Sequence, residues 1–336
     1  MIGFGPTCKV ILLAFSLFIS VNTQAEPTVG TNTPIKTWLQ KGYQASRQLA
    51  YTGTYVVRAG GQMASAKIWH VCDGEQQMER VESLTGAPRS TIRRDDQVIT
   101  FYPTIKLAVL EKRDSLGLFP GLLKSKDTDI DSFYELKSYP NERVAGLQAD
   151  VVGLTPKDAL RFGYRVWSEK RTGLIVQLQT VTTEGQVIEQ SAFSELSLNA
   201  PVSMHNLGQL MRATEGYRVE RPELHKANPD EEGWALKQTV AGFKPTGCFQ
   251  WPNAASQASY SRHDGSMQWT FSDGLATVSL FVEAFDVRRH VRQGPTDLGG
   301  ATHIYARRVN EWWITAVGEV PASTVKAFAL ALERKQ

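Results

Sequence analysis

The chain has 336 residues, 42% of them hydrophobic and 10% aromatic, with a formal net charge of +3 at pH 7. That apolar content excludes a disordered chain, and so small a net charge excludes a global field that recruits nucleic acid, so any basic site must be local. The six histidines are dispersed with no HExxH or HxH pair, and the sequence carries no GxSxG elbow, Walker loop or dinucleotide fingerprint, so it asks for no metal, no cofactor and no enzymatic activity.

Residues 1–25 read as a secretion signal. Lys9 precedes an apolar run from Val10 to Val21, Thr23-Gln24-Ala25 supplies small residues for cleavage, and Glu26-Pro27 begins the mature chain. The run is about 12 residues where a spanning helix needs roughly 20, which favours cleavage over anchoring. Cys8 leaves with the signal. About 310 residues remain, comfortable for two domains. Cys72 and Cys248 also remain, and an even count in an oxidising compartment permits one disulfide; bonded, the pair would staple the domains for about 5 kcal/mol in the chain-entropy model. Two buried free thiols are the alternative.

A helix opens the mature fold, with Thr33 as cap, Pro34 at its first position and an apolar stripe of Ile35, Trp38, Leu39, Ala45 and Leu49. From Tyr51 to about Leu198 the chain turns to short β-rich runs, with hairpin turns expected at Asp73-Gly74, Asp95-Asp96, Thr172-Gly173 and Glu184-Gly185. Roughly ten strands in series imply a large antiparallel sheet. Ser115 to Ser132, with Leu116, Leu118, Phe119, Leu122 and Leu123, breaks the pattern and is expected to cover one face. Within it, Asp127, Asp129 and Asp131 have the opening spacing of a calcium loop, but Ser132 and Ser138 stand where that loop needs Gly and a bidentate Glu, so an acidic turn is the better reading. Phe101, Leu107, Leu118, Phe119, Leu122, Leu123, Phe133 and Tyr134 are candidates for an apolar cleft on the concave side of the sheet, with core packing as the competing role.

Residues 212–238, crowded with charges and holding Pro222 and Pro229, read as a linker between a domain at 26–211 and a smaller α+β domain at 239–336. In the latter, Met267, Trp269 and Phe271 alternate with polar residues, Asp273-Gly274 turns the chain, and strands at Thr302 to Arg307 and Trp312 to Val317 meet at Asn310-Glu311. A closing helix begins near Pro321, with an apolar stripe of Val325, Phe328, Ala329 and Leu332. Two basic groups stand out, Arg93-Arg94 and the denser Arg288, Arg289, His290, Arg292 followed by Arg307-Arg308. Guanidinium forks bind carboxylates and phosphates bidentately, so such a group suits an acidic partner or a lipid headgroup; a solvated sheet edge is the alternative.

Trp69 to Gly74 (WHVCDG), Ser83 to Arg94 (SLTGAPRSTIRR) running to Phe101-Tyr102-Pro103, Ser272 to Glu283 (SDGLATVSLFVE) and Gly318 to Lys326 (GEVPASTVK) resemble the RseB/MucB family of exported regulators of sigma-E. The likeness runs over nearly the whole mature chain, and the order of the motifs carries it. It implies a periplasmic protein whose large domain is similar to the LolA and LppX lipoprotein carriers, an unclosed β-barrel with helical cover. It further implies that the small domain contacts the periplasmic part of a membrane-spanning anti-sigma factor of the RseA or MucA kind and shields it from site-one proteolysis, with lipopolysaccharide or lipoprotein acyl chains as the releasing signal. Within that frame the expected partner contacts are Arg288, Arg289, Arg292, Arg307 and Arg308 with Trp312 or Trp313, and the expected lipid contacts are Phe101, Leu118, Phe119, Leu122 and Phe133. A periplasmic lipid or lipoprotein carrier is the alternative function, and self-association into a homo-oligomer is left open.

Overall fold

A computed structural model of the chain describes residues 35–112, 130–251 and 266–335. Its first element, α1 (Ile35–Gln48), buries Ile35, Leu39, Gly42 and Ala45, the three- and four-residue spacing of an amphipathic helix. The Ile35 amide donates to Asp131 Oδ1 at 3.2 Å, so a distant carboxylate satisfies one orphan donor of the helix start. Asp131 thus serves α1; Asp127, Asp129, Thr33 and Pro34 lie outside the described residues.

Two meanders follow. The first is β1 (Tyr51–Ala59), β2 (Gln62–Cys72), β3 (Gln77–Ser83), β4 (Ser90–Arg94), β5 (Gln97–Tyr102) and β6 (Leu107–Lys112); the second is β7 (Tyr134–Val144), β8 (Leu147–Pro156), β9 (Gly163–Glu169), β10 (Ile175–Val181) and β11 (Val187–Leu198). β1 pairs antiparallel with both β2 and β11, which fuses the meanders into one sheet. Helix α2 (Met204–Arg212) comes next, with Ser203 accepting from the Asn206 amide as its cap, then the short strand β12 (Arg218–Glu220). The order β12-β6-β5-β4-β3-β2-β1-β11-β10-β9-β8-β7 leaves β12 and β7 as unpaired edges, an antiparallel sheet that does not close. Pro140 sits in edge strand β7 beside a register shift, a position where a missing amide costs little. All four expected hairpin turns are present, between β2 and β3, β4 and β5, β9 and β10, and β10 and β11.

Helices cover both faces of this sheet. α1 lies on clusters in which Ile35 and Leu39 meet Val152, Leu154, Tyr164 and Val166, while Ala45 meets Tyr51, Tyr55, Ile68 and Trp167. α2 covers the other face through Leu207, packed with Met78, Ile92, Ile99, Phe101 and Ala108. Arg93, read from the sequence as part of a basic group, is instead buried: it pairs with Glu79 at 3.1 Å and donates to Gln77 Oε1 and the Asp95 carbonyl.

The smaller sheet runs β13-β15-β16-β17-β20-β19-β18, from β13 (His225–Lys226), β15 (Lys244–Gln250), β16 (Met267–Ser272), β17 (Thr277–Ala284), β18 (Gly294–Asp297), β19 (His303–Val309) and β20 (Trp312–Gly318). Helix α3 (Ala322–Ala331) packs on one face, and β14 (Trp234–Leu236) pairs with the closing strand β21 (Leu332–Arg334). The expected stripe Val325, Phe328, Ala329 and Leu332 is fully buried against Phe271, Val278, Leu280 and Ile314. The charged stretch read as a linker is tied down at three points: β12 extends the large sheet in parallel to β6, β13 extends the small one, and Trp234 sits in the small core. Its composition speaks against burial, but edge strands need backbone hydrogen bonds rather than a buried face.

Cys72 and Cys248 are both free, the unbonded one of the two arrangements left open by the sequence. Cys248 points into the core under α3, where burial pushes its thiol up to about 11; Cys72, half-buried at the end of β2, accepts from the Gly74 amide.

Candidate functional site

Without a disulfide, the domains are joined by a buried polar centre. Arg161, in the loop between β8 and β9, is fully buried and reaches Asp273 in the β16–β17 turn at 2.6 Å. It holds Asp158 through both carboxylate oxygens at 2.9 and 3.0 Å, donates to the Ala241 carbonyl at 2.8 Å and lies over the Phe133 ring at 4.6 Å. Asp273 Oδ1 meanwhile accepts from the amides of Leu275 and Ala276, and Oδ2 also accepts from the Tyr134 hydroxyl at 3.1 Å. Burial, followed by the neighbouring Tyr164 and Asp273, pushes the Tyr134 hydroxyl well above its usual range, so it stays a donor. For Arg161, burial works against the charge, but Asp158 and Asp273 outweigh it and hold the guanidinium protonated.

Apolar groups interlock across the same junction. Leu275 of the small domain belongs to the core under α1, and Leu160 of the large one packs against the core under α3 while its carbonyl accepts from Thr324 Oγ1 at 2.8 Å. The backbones touch at Gly60 and Gly299: a Cβ on Gly299 would stand 2.6 Å from Gly60 Cα, and both residues have positive φ, so glycine is required twice over.

The expected basic surface divides in two. Arg307 and Trp312 belong to the face covered by α3. Arg307 donates through Nε to the Ala329 carbonyl at 2.7 Å and through Nη2 to the Leu332 carbonyl, satisfying the end of the helix, and Trp312 packs edge-on against Trp234 at 5.8 Å. Both are half-buried and engaged within the small domain; burial lowers the Arg307 pKa from its usual value. Arg288, Arg289, Arg292 and Arg308 gather at the opposite side and end of the sheet. There Arg308 lies 3.8 Å over the Phe285 ring, His290 stacks on Trp313 at 4.8 Å, and Glu283 Oε2 accepts from Arg289 at 2.6 Å while its Oε1 lies 3.1 Å from His290 Nε2. Asp286 pairs with Arg288 at 3.0 Å, and that hydrogen bond with the Arg288 amide draws its carboxyl down to about 2. Arg292 is exposed and has no ion pair among the described residues. Trp313, not Trp312, is the aromatic backing, because adjacent strand residues face opposite ways.

Of the expected lipid contacts, the two that lie among the described residues, Phe101 and Phe133, are in different places. Phe101 lies in the α2 cluster with its ring edge-on to Tyr217 at 5.2 Å, whereas Phe133 sits under Arg161 at the domain junction. Leu118, Phe119 and Leu122 lie outside the described residues. The junction itself was missed by the sequence reading: Asp273 registers there as a turn residue, and a single arginine in a loop carries no local signal.

The chain is mostly β and two-domain, its buried charges are paired within the structure, and Arg288, Arg289, Arg292 and Arg308 gather at one end of the small sheet, the design of a binding protein. The chain belongs to the MucB/RseB family: the model of the MucB/RseB N-terminal domain matches residues 34–211 and that of the MucB/RseB C-terminal domain matches residues 228–333. It is 27% identical over 331 residues to the sigma factor AlgU regulatory protein MucB of Pseudomonas aeruginosa, covering 97% of each chain. It is 26% identical over 318 residues to the sigma-E factor regulatory protein RseB of Haemophilus influenzae, covering 95% of each. Among solved structures, the MucA/MucB complex of Pseudomonas aeruginosa matches with a TM-score of 0.66 and 25% identity over 89% of this chain and 98% of that one. MucB in complex with the periplasmic part of MucA matches with a TM-score of 0.65 and 24% identity, over 90% and 99%.

Proposed function

We propose that this protein is an exported, periplasmic regulator of a sigma-E-type stress response, which binds the periplasmic part of a membrane-spanning anti-sigma factor and shields it from site-one proteolysis. The observation that carries the reading is the two-domain match, in order and nearly end to end, to sigma factor regulatory proteins. Residues 1–25 serve as the export signal, and no helix among the described residues is long and apolar enough to cross a membrane. The contact lies at the basic end of the small domain, through Arg289 and Arg308 with Trp313 and Phe285 behind them, since arginines backed by aromatic rings make anchors for an acidic segment.

Release by lipid requires differential affinity between two states. With Arg161 and Asp273 joining the domains, lipid acts on the small domain locally or competes directly for its basic end. The test is binding of the periplasmic anti-sigma segment, and its protection from the site-one protease, with and without lipopolysaccharide. Tight binding and protection that lipid abolishes are expected, and Arg289→Glu with Arg308→Glu weakens both. No binding, with acyl lipid co-purifying instead, would put a lipid or lipoprotein carrier in its place.

A further inference from the structure

We propose that the turn between β17 and β18 is a docking apex for an anionic bilayer. Val287 and Val291 are 71% and 83% exposed, the two most exposed large hydrophobic side chains among the described residues. Exposed valines on a soft loop would fold back onto the surface, but this turn is pinned. The Asp286 carbonyl accepts from the amides of Arg289 and His290 at 3.1 and 2.8 Å, Asp286 Oδ1 accepts from the Arg288 amide at 2.9 Å, and the Asp286 amide donates to His290 Nδ1 at 2.9 Å. The His290 ring lies flat on Trp313, with an interplanar angle of 9°. The turn therefore holds two aliphatic tips out in water, each followed by an exposed arginine, Arg288 and Arg292.

The chemistry of that apex selects its partner. Protein hot spots are large aromatic or arginine anchors seated in pockets, whereas the aromatics here, Trp313 and Phe285, lie beneath the turn and only small aliphatic tips and guanidinium groups reach outward. Protruding apolar tips ringed by arginine match the boundary of an anionic bilayer, where the tips enter the acyl region and the guanidiniums meet lipid phosphates. Each valine contributes about tenfold to partitioning if it leaves water, and Arg292, which unlike the Asp286-paired Arg288 has no ion pair among the described residues, about fivefold at an anionic surface. Such contact is weak for a free protein. On the functional reading above, a membrane-spanning partner holds the chain near the bilayer, and a weak second contact then gains from effective concentration.

The test is flotation of the purified protein with phosphatidylcholine vesicles with and without phosphatidylglycerol, at low and high salt. Binding is expected to the anionic vesicles only, to weaken with salt, to fall tenfold or more in the Val287→Ser, Val291→Ser double variant, and to fall about fivefold in Arg292→Gln. All three side chains are exposed, so unchanged melting temperatures confirm that the variants fold. Wild-type protein that ignores anionic vesicles, or a double valine variant that binds them as the wild type does, overturns the proposal. Binding of the anti-sigma segment is measured in parallel without lipid: if the valine variants lose that and not vesicle binding, the apex is a protein contact and the bilayer assignment fails. If the wild type binds vesicles but not the segment, it is the regulator reading that fails.

Discussion

Replacing Asp273 by alanine removes an acceptor that serves four donors at the domain junction: Arg161, Tyr134 and the amides of Leu275 and Ala276. Arg161 and Asp273 are both wholly buried, so bulk solvent does not reach the stranded groups. Removing one partner of a buried ion pair costs about 3–5 kcal/mol, and an orphaned Tyr134 hydroxyl about 1 kcal/mol more. A loss of about 4–6 kcal/mol is a large part of the stability of an ordinary domain and falls where the two units meet. The assay is guanidinium unfolding followed by tryptophan fluorescence and far-ultraviolet circular dichroism, with Trp38, Trp69 and Trp167 reporting on the large domain and the other five of the 8 tryptophans on the small. The expected result is coincident transitions in the wild type and separated ones in Asp273→Ala. Arg161→Met in the same chain should restore about 2 kcal/mol relative to the sum of the single variants, because the stranded charge is then gone. An Asp273→Ala loss under about 1 kcal/mol, or strictly additive single variants, would refute the view that this pair joins the domains.

Arg307→Ala should lower stability by about 1–3 kcal/mol, by stranding the carbonyls of Ala329 and Leu332, while leaving affinity for the anti-sigma segment unchanged; weakened binding at unchanged stability would return Arg307 to the surface. The Asp286 carboxyl, with its pKa drawn from 3.8 to about 2, contributes its turn-forming hydrogen bonds fully above its unfolded pKa and loses them as pH falls through about 2. Carboxyl-carbon NMR should show that midpoint, and Arg288→Ala should raise it; a wild-type midpoint near 4 would contradict the pairing. Ellman's reagent at pH 8 should modify Cys72 in the native protein and Cys248 only on unfolding, and two thiols of equal native reactivity would contradict the buried placement of Cys248.

The elements read best from the sequence are those specified over a few residues. Asp73-Gly74 and Asp273-Gly274 place a left-handed glycine where two strands must reverse, and Gly74 and Gly274 have φ of +100° and +102°. The α3 stripe was legible because four apolar residues at helical spacing face one core. Helix α2 escaped notice at nine residues, although Ser203 ahead of Leu207 and Met211 is a cap and a short stripe. Arg307 and Arg308 show the limit for the site: neighbours in sequence with the same chemistry, they are sent to opposite faces by the pleat, and which one lies under a helix depends on where residues 322–331 return. The Arg161–Asp273 pair lies further out of reach, since each residue is ordinary in its own loop and only the packing of one domain on the other makes them partners.

The position of β1 bears on how the molecule comes to exist. β1 is an interior strand, yet one neighbour, β11, is contributed from far downstream; Ser194 Oγ meets the Thr54 carbonyl across 140 residues of chain. The hairpins from β1 to β6 pair between neighbours in the chain, but the second side of β1 stays bare until the residues through 198 have followed. Long-range seams of this kind form late and slowly, and an open strand edge invites pairing with the wrong chain meanwhile. A chain cut short before β11 therefore yields no smaller domain, only half a sheet with an adhesive margin, and the cell must see the whole of the large domain through before any part of it is safe.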